Sequence, residues 1–412
     1  MLMNADIRIN KDRLWERIMA MAEIGATELG GSCRLALTEE DRQGRDLFIK
    51  WCREIGCEIK IDRMGNIFAR RQGGNPCRLP IACGSHLDTQ PHGGKFDGVF
   101  GVLAGIEIFE TLNENNVMTD SPLEICVWTN EEGSRFAPPM ISSGVFGGSY
   151  DLEYALSRED ADGVTLGEAL ETIGYAGKLP CGEHPLGAFI EIHIEQGPVL
   201  ERNEETIGVV TGVQGTRWYQ VVFQGQDAHT GSTPMPGRRD ALVSAARAII
   251  AIKEIAMDQS PDAVATVGRI ENSPNSHNTI PGEVKLTVDM RHFDARTLDA
   301  MEGQLHEIVN AAALKESTTV EITRISNTPS IYFDKHCITA VEEATHTLCY
   351  RYRKLISGAG HDACHISRVA PTSMIFVPCA GGLSHNEAES AESEDLAAGA
   401  NVLLHAMLKL SN

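Results

Sequence analysis

Apolar side chains recur at helical spacing over residues 11–24 and 39–55. Residues 57–71 read as a hairpin: Ile59 and Ile61 alternate with polar neighbours, Met64-Gly65-Asn66 turn the chain, and Ile67 and Phe68 resume. Short apolar runs at 79–84, 123–129 and 188–194 predict buried strands, and residues 99–112 predict an apolar helix. The strands end in polar clusters: Ser85-His86-Leu87-Asp88, Asn130-Glu131-Glu132 and Glu195-Gln196-Gly197-Pro198. Short strands alternating with helices predict an α/β domain with a mainly parallel sheet. In such sheets ligands sit beyond the carboxyl ends of strands, where these clusters fall.

The pattern then changes. Residues 218–223 alternate as a strand, 240–255 form a helix, 263–270 and 284–290 strands, 298–314 a helix and 318–325 a strand. That order is a ferredoxin-like split βαβ unit. The α/β pattern returns with a helix at 338–350, a strand at 372–377 and a helix at 394–410. The expectation is an α/β domain from residues 1–211 and 330–412, with an inserted α+β domain at 212–329.

Charge narrows the function. Acidic residues number 57 against 36 basic ones, a formal charge of −21 over 412 residues. A nucleic-acid partner needs clustered Lys and Arg and is not expected. A small anionic substrate is compatible, since one placed Arg can reverse the field locally. The eleven cysteines form no CxxC pair, residues 1–17 alternate charged and apolar positions, and no apolar run reaches 18 residues. These features lead us to expect a cytoplasmic protein with free thiols, no secretory leader and no membrane span.

Five segments offer metal ligands: His86 with Asp88, Asp97 within Gly93-Gly94-Lys95-Phe96-Asp97-Gly98, Glu131-Glu132, His193, and His385 in Gly382-Leu383-Ser384-His385-Asn386-Glu387. Nitrogen and carboxylate donors without thiolate suit zinc, manganese, cobalt or nickel. Two such ions, about 3.5–4 Å apart, can share a carboxylate and activate water. One unligated carboxylate must then carry the proton to the leaving group. A lone strand-end His is more often structural, and adjacent Glu residues more often form a solvated turn. Three strands ending this way make a metal hydrolase an even alternative to those readings.

His86-Leu87-Asp88-Thr89, Gly93–Gly98, Asn130-Glu131-Glu132-Gly133-Ser134-Arg135-Phe136, His193-Ile194-Glu195-Gln196-Gly197-Pro198 and Ser384-His385-Asn386-Glu387 together resemble the N-carbamoyl-L-amino acid hydrolases, microbial β-ureidopropionases and allantoate amidohydrolases. These belong to the di-metal clan of aminoacylases and carboxypeptidases. The resemblance runs from about Leu14 to the C-terminus. It implies a di-metal peptidase-like catalytic domain and an inserted lid and dimerisation domain. His86 and His193 would hold one divalent ion, Glu132 and His385 the other, and Asp97 would bridge them. Asp88 would orient His86 through its second ring nitrogen, and Glu131 would be the general acid/base.

In the inserted domain, Gly225-Gln226-Asp227-Ala228-His229-Thr230-Gly231 resembles the family segment whose His reaches the partner subunit's active site in a homodimer. His277-Asn278-Thr279-Ile280-Pro281-Gly282 and Asp289-Met290-Arg291-His292 resemble its substrate-holding segments. Asn278 and Arg291 would then bind a small carboxylate substrate, with Gln196, Arg217 and Gly360 as further substrate-binding candidates. Taken alone, Arg291 reads as a surface ion pair and Asn278 as a turn residue. The implied reaction is hydrolysis of the carbamoyl C–N bond of an N-carbamoyl-L-amino acid or β-ureido acid, releasing ammonia, CO2 and the amino acid. The alternatives are an allantoate amidohydrolase, a dipeptidase or aminoacylase, and an inactive metal-binding homologue.

Overall fold

The computed structural model describes residues 6–259 and 262–412. The first five residues, part of the stretch expected to lack a leader, lie outside that range. The chain divides into two compact units: residues up to Thr211 together with Phe333–Asn412, and Gly212–Tyr332.

In the first unit, β1 (Glu58–Ile61) and β2 (Ile67–Arg71) form the hairpin, followed by β3 (Ile81–His86), β4 (Leu123–Trp128), β5 (Ala188–Ile194) and β6 (Ile207–Val213). In the second unit come β7 (Gly215–Gln224), β8 (Ala228–His229), β9 (Val264–Ser273), β10 (Thr279–Ile280), β11 (Glu283–His292), β12 (Thr319–Thr328) and β13 (Ile331–Tyr332). The chain then returns to the first sheet with β14 (Tyr352–Ser357) and β15 (Thr372–Val377).

The first sheet runs β1-β2-β4-β3-β5-β15-β6-β13, with β14 also paired to β6. Its centre, β4-β3-β5-β15, is parallel, with His86 opposite Trp128 and His193 opposite Phe376. β2 and β6 flank it antiparallel. The central strands are buried along their whole length, as their continuous apolar runs require. The helices Val99–Glu114 and Ser393–Ser411 pack on them and on each other. The first is apolar all round, which marks a core helix. Its one buried acid, Glu107, pairs with Arg13 Nε at 2.7 Å.

In the second unit the antiparallel order is β12-β7-β11-β9, with helices Ala241–Gln259 and Ala295–Lys315 against one face. Strand–helix–strand–strand–helix–strand with this pairing is the ferredoxin-like arrangement. Tyr219, Val221 and Phe223 of β7 meet Val284, Leu286, Val288 and Met290 of β11 beneath the helices. The residues between them face the other way. Among the described residues no helix is long and apolar enough to cross a membrane. All eleven cysteines are free thiols.

Candidate metal centre

Four parallel strands end along one edge of the sheet. β3 ends on His86, β4 leads to Glu131 and Glu132, β5 carries His193 near its end, and the chain beyond β15 carries His385. Asp97 lies just before the helix Val99–Glu114.

Asp97 stands at the middle. Its Oδ1 is 3.5 Å from His86 Nε2 and 3.1 Å from His193 Nε2, and its Oδ2 is 3.5 Å from His385 Nε2. His385 Nε2 is also 3.3 Å from Glu132 Oε2. Two trios result, His86–Asp97–His193 and Asp97–Glu132–His385, each with its ligand atoms within 4.8 Å of one another. Asp97 is common to both. Glu131 belongs to neither, yet its Oε2 is 3.5 Å from His86 Nε2.

The histidine tautomers suit a divalent cation. His86 Nδ1–H donates to the Asp88 carbonyl at 2.8 Å, and His193 Nδ1–H to the Ile194 carbonyl at 2.9 Å. Carbonyls only accept, so both rings present Nε2 as a ligand to the space beside Asp97. The main-chain N–H of Gly98, 3.1 Å from His193 Nε2, is aimed at that lone pair. The site is also rich in buried acid. Burial by itself would lower the His86 pKa, but Glu131, Asp97 and Asp88 outweigh it and hold it well above the ordinary value. Burial lifts Glu132 to about 8, with Asp97 adding to the rise. Burial lifts Glu131 far above the carboxylate range, helped by Asp362, Glu132 and Asp88. Such a cluster favours bound positive charge. Four carboxylate and imidazole donors around one shared Asp therefore fit two divalent ions.

Glycine makes the geometry possible at two positions. Gly98 adopts φ +66°, and a Cβ there would lie 2.4 Å from the His86 ring. Gly94 has no unusual φ, but its Cβ would lie 2.0 Å from Glu389 Oε1. Only a missing side chain leaves room in each case.

Asp88 meets His86 at its second ring nitrogen, as expected, but through the main chain. Its carboxylate is 4.0 Å from His86 Nδ1, and its main-chain carbonyl makes the contact instead. The turn after β3 brings the carbonyl to His86 Nδ1 and sends the side chain to the segment that follows β4. There Oδ1 and Oδ2 accept the N–H groups of Glu131 and Glu132, each at 3.2 Å. Gln196, at φ +55°, donates Nε2 to Asp97 Oδ2 at 2.7 Å and to Ser384 Oγ at 3.2 Å. Gly360 precedes His361, a buried ring 4.6 Å from His193.

Several residues here were not singled out from the sequence. Gln90 Nε2 donates to Glu132 Oε2 at 2.7 Å, and its Oε1 accepts from Ser134 Oγ at 2.6 Å. His361 and Asp362 are buried near the two trios, and Glu389 supports Asp97. Gln90 follows the His86–Thr89 segment and His361 follows Gly360, so proximity to a motif or candidate is the available signal.

In the second unit, β8 and β10 pair Thr279 with His229, which sets Asn278 beside the histidine. His229 Nδ1 accepts from Gly231 N–H at 3.0 Å and Ser232 N–H at 3.2 Å. A neutral ring then carries its proton on Nε2 and offers it as a donor. Arg291 is part-buried on the open face of the sheet and pairs with Asp289 at 2.8 Å. Asn278 Oδ1 accepts from Ser276 Oγ at 3.1 Å.

Arg217 is held by acids of the helix that covers the sheet. It sits opposite Met290 on the helix-covered face, whereas Arg291 lies opposite Thr216 on the other. Its guanidinium is committed to Asp299 at 2.6 Å, Glu302 at 2.8 Å and Asn327 at 3.2 Å. The two-residue period of a strand puts the two arginines on opposite faces of the sheet.

Residues 82–409 match the model of "Peptidase family M20/M25/M40". The chain is 46% identical over 402 residues to an N-carbamoyl-L-amino-acid amidohydrolase of Rhizobium meliloti, covering 98% of this chain and 97% of that protein. It is 37% identical over 407 residues to the N-carbamoyl-L-amino acid amidohydrolase of Geobacillus stearothermophilus, covering 98% and 99%. Among solved structures, a hydantoinase/carbamoylase family amidase from Burkholderia multivorans superposes with a TM-score of 0.95 at 52% identity, covering 98% of each chain.

Proposed function

Since the chain belongs to peptidase family M20/M25/M40, among the N-carbamoyl-L-amino-acid amidohydrolases and their hydantoinase/carbamoylase relatives, we propose that it hydrolyses the carbamoyl C–N bond of an N-carbamoyl-L-amino acid. One observation carries the reading: Asp97 is shared by two ligand trios while Glu131, buried beside them, is left out of both.

Two divalent ions, held by His86, Asp97 and His193 and by Asp97, Glu132 and His385, would polarise the carbonyl and make water a nucleophile. Glu131 takes the proton from water as its oxygen adds to the carbonyl carbon. It returns that proton to the amino-acid nitrogen as the C–N bond breaks. The carbamic acid released decomposes to ammonia and CO2.

His229 supplies its Nε2–H to the developing oxyanion, acting in trans within a homodimer. Arg291 and Asn278 hold the substrate carboxylate. A guanidinium presents two parallel donors to a carboxylate, and such charge-assisted pairs are roughly twice as strong as neutral ones.

The test is ammonia release by protein loaded in turn with Mn, Zn, Co or Ni. The panel is an N-carbamoyl-L-amino acid, its decarboxylated carbamoyl-amine, β-ureidopropionate, allantoate and a dipeptide. The N-carbamoyl-L-amino acid should give the highest kcat/KM, and the carbamoyl-amine should be poor. Preference for allantoate or for the dipeptide would overturn the reading. Equal rates on the acid and the amine would remove Arg291 from its role.

A further inference from the structure

Glu389 lies outside both ligand trios, yet it contacts the segments that carry two of the ligands. It is 5% exposed. Oε1 accepts the main-chain N–H groups of Phe96 at 3.0 Å and Asp97 at 3.1 Å. Oε2 is 2.9 Å from Ser384 Oγ, and that hydroxyl reaches Asp97 Oδ2 at 2.7 Å. Ser384 is the residue before His385. The Glu389 N–H closes its own turn on the Asn386 carbonyl at 3.0 Å.

We propose that Glu389 is a positioning residue that clamps the Asp97 loop to the His385 loop and so sets the geometry of the second ion site. The proposal rests on the two-ion reading above. Asp97 and His385 come from segments far apart in sequence, and each donates a ligand to the same trio. Coordination tolerates displacements of only about 0.5 Å, so something must hold the two loops in register. Glu389 does this with one buried carboxylate whose two oxygens are occupied by opposite loops. Burying that charge is costly unless its hydrogen bonds are made; Oε1 accepts two N–H groups, and Oε2 shares the single Ser384 hydroxyl proton with Asp97 Oδ2. Gly94 completes the device: a side chain there would occupy the carboxylate's place, 2.1 Å from Cδ.

The test is titration of metal-free protein with Mn2+ by calorimetry, alongside the thermal unfolding of each metal-free variant. Loss of a group that supports ligands typically weakens metal affinity by about 10–100-fold. Glu389→Ala should show that loss at one of two sites. Glu389→Gln keeps an acceptor for the two N–H groups and a partner for Ser384, so it should retain most of the affinity. Gly94→Ala should resemble Glu389→Ala in the wild-type background and add little in the Glu389→Ala background, because both act through the same carboxylate. Ser384→Ala, which cuts only one link, should fall between and remains informative should Glu389→Ala not fold. If Glu389→Ala or Ser384→Ala lowers the unfolding temperature but binds two ions with wild-type affinity, the clamp is wrong and the residue is only structural. Equal harm from Gly94→Ala with and without Glu389 also overturns it. Wild-type protein that takes up fewer than two ions would instead bring down the two-ion reading.

Discussion

Asp88 gives the sharpest mutational test of how the centre is built. Its carboxylate accepts the N–H groups of Glu131 and Glu132, each at 3.2 Å, inside a buried site. Hydrogen bonds to a charged acceptor contribute about 1.5–3 kcal/mol each, so two bound the gross loss at roughly 3–6 kcal/mol. Burial holds the Asp88 pKa above its usual value, which means desolvation already offsets part of that gain. The net loss for Asp88→Ala should therefore be about 2–4 kcal/mol. Asp88→Asn keeps the shape but turns a donor toward one of the two N–H groups, so it should lose about half as much. Both variants shift the backbone that aims Glu131 and Glu132, and kcat/KM should fall by at least about 10-fold. Urea unfolding of the metal-free protein measures the first quantity and ammonia release the second. If Asp88→Asn keeps wild-type stability and rate while the His86 ring changes tautomer by nitrogen NMR, the carboxylate serves His86 and this account of it is wrong.

Gly98→Ala should lose an ion, since its Cβ would lie 2.4 Å from the His86 ring and its φ of +66° costs an L residue about 1–2 kcal/mol more. A metal count equal to wild type would contradict this. Metal affinity should rise with pH. The Glu132 pKa of about 8 means that its proton must leave before it can ligate, and the raised His86 must lose one too, so affinity should gain at least about tenfold per pH unit below 8. Titrations in buffers of different ionisation enthalpy count the protons released, and an affinity unchanged from pH 6 to 8 would refute the coupling. Mixing His229→Ala and Glu131→Gln chains under subunit exchange should restore about a quarter of wild-type activity, the share of sites in which a two-fold dimer unites two intact halves. No recovery would place His229 with its own chain's metals.

Much of this centre is legible in the sequence because parallel strands are apolar throughout, so a polar cluster at the end of an apolar run marks the sheet's ligand edge. β5 and β15 match their apolar runs at both ends. β6 was missed because it straddles the expected domain boundary at 212 and its run of Gly and Val was not read as a strand. Other residues depend on contacts that spacing does not encode. Glu389 lies in an acidic stretch that reads as a solvated loop, and its partner at Asp97 is 292 positions away. An aspartate two residues from a histidine can meet the ring with its carbonyl or its carboxylate, and only the turn after β3 decides. Arg217 shares parity with Tyr219, Val221 and Phe223, so the strand period alone shows that it faces the helices.

The division of labour between the two adjacent glutamates tests the account most directly. Glu131→Gln and Glu132→Gln proteins, loaded identically, should be compared by metal count per chain and by rate on an N-carbamoyl-L-amino acid. Glu131→Gln should keep both ions and lose at least the ~10²–10⁴-fold expected of general acid–base catalysis. Glu132→Gln should lose an ion. Metal loss from Glu131→Gln with retention in Glu132→Gln would reverse the two roles and contradict the mechanism.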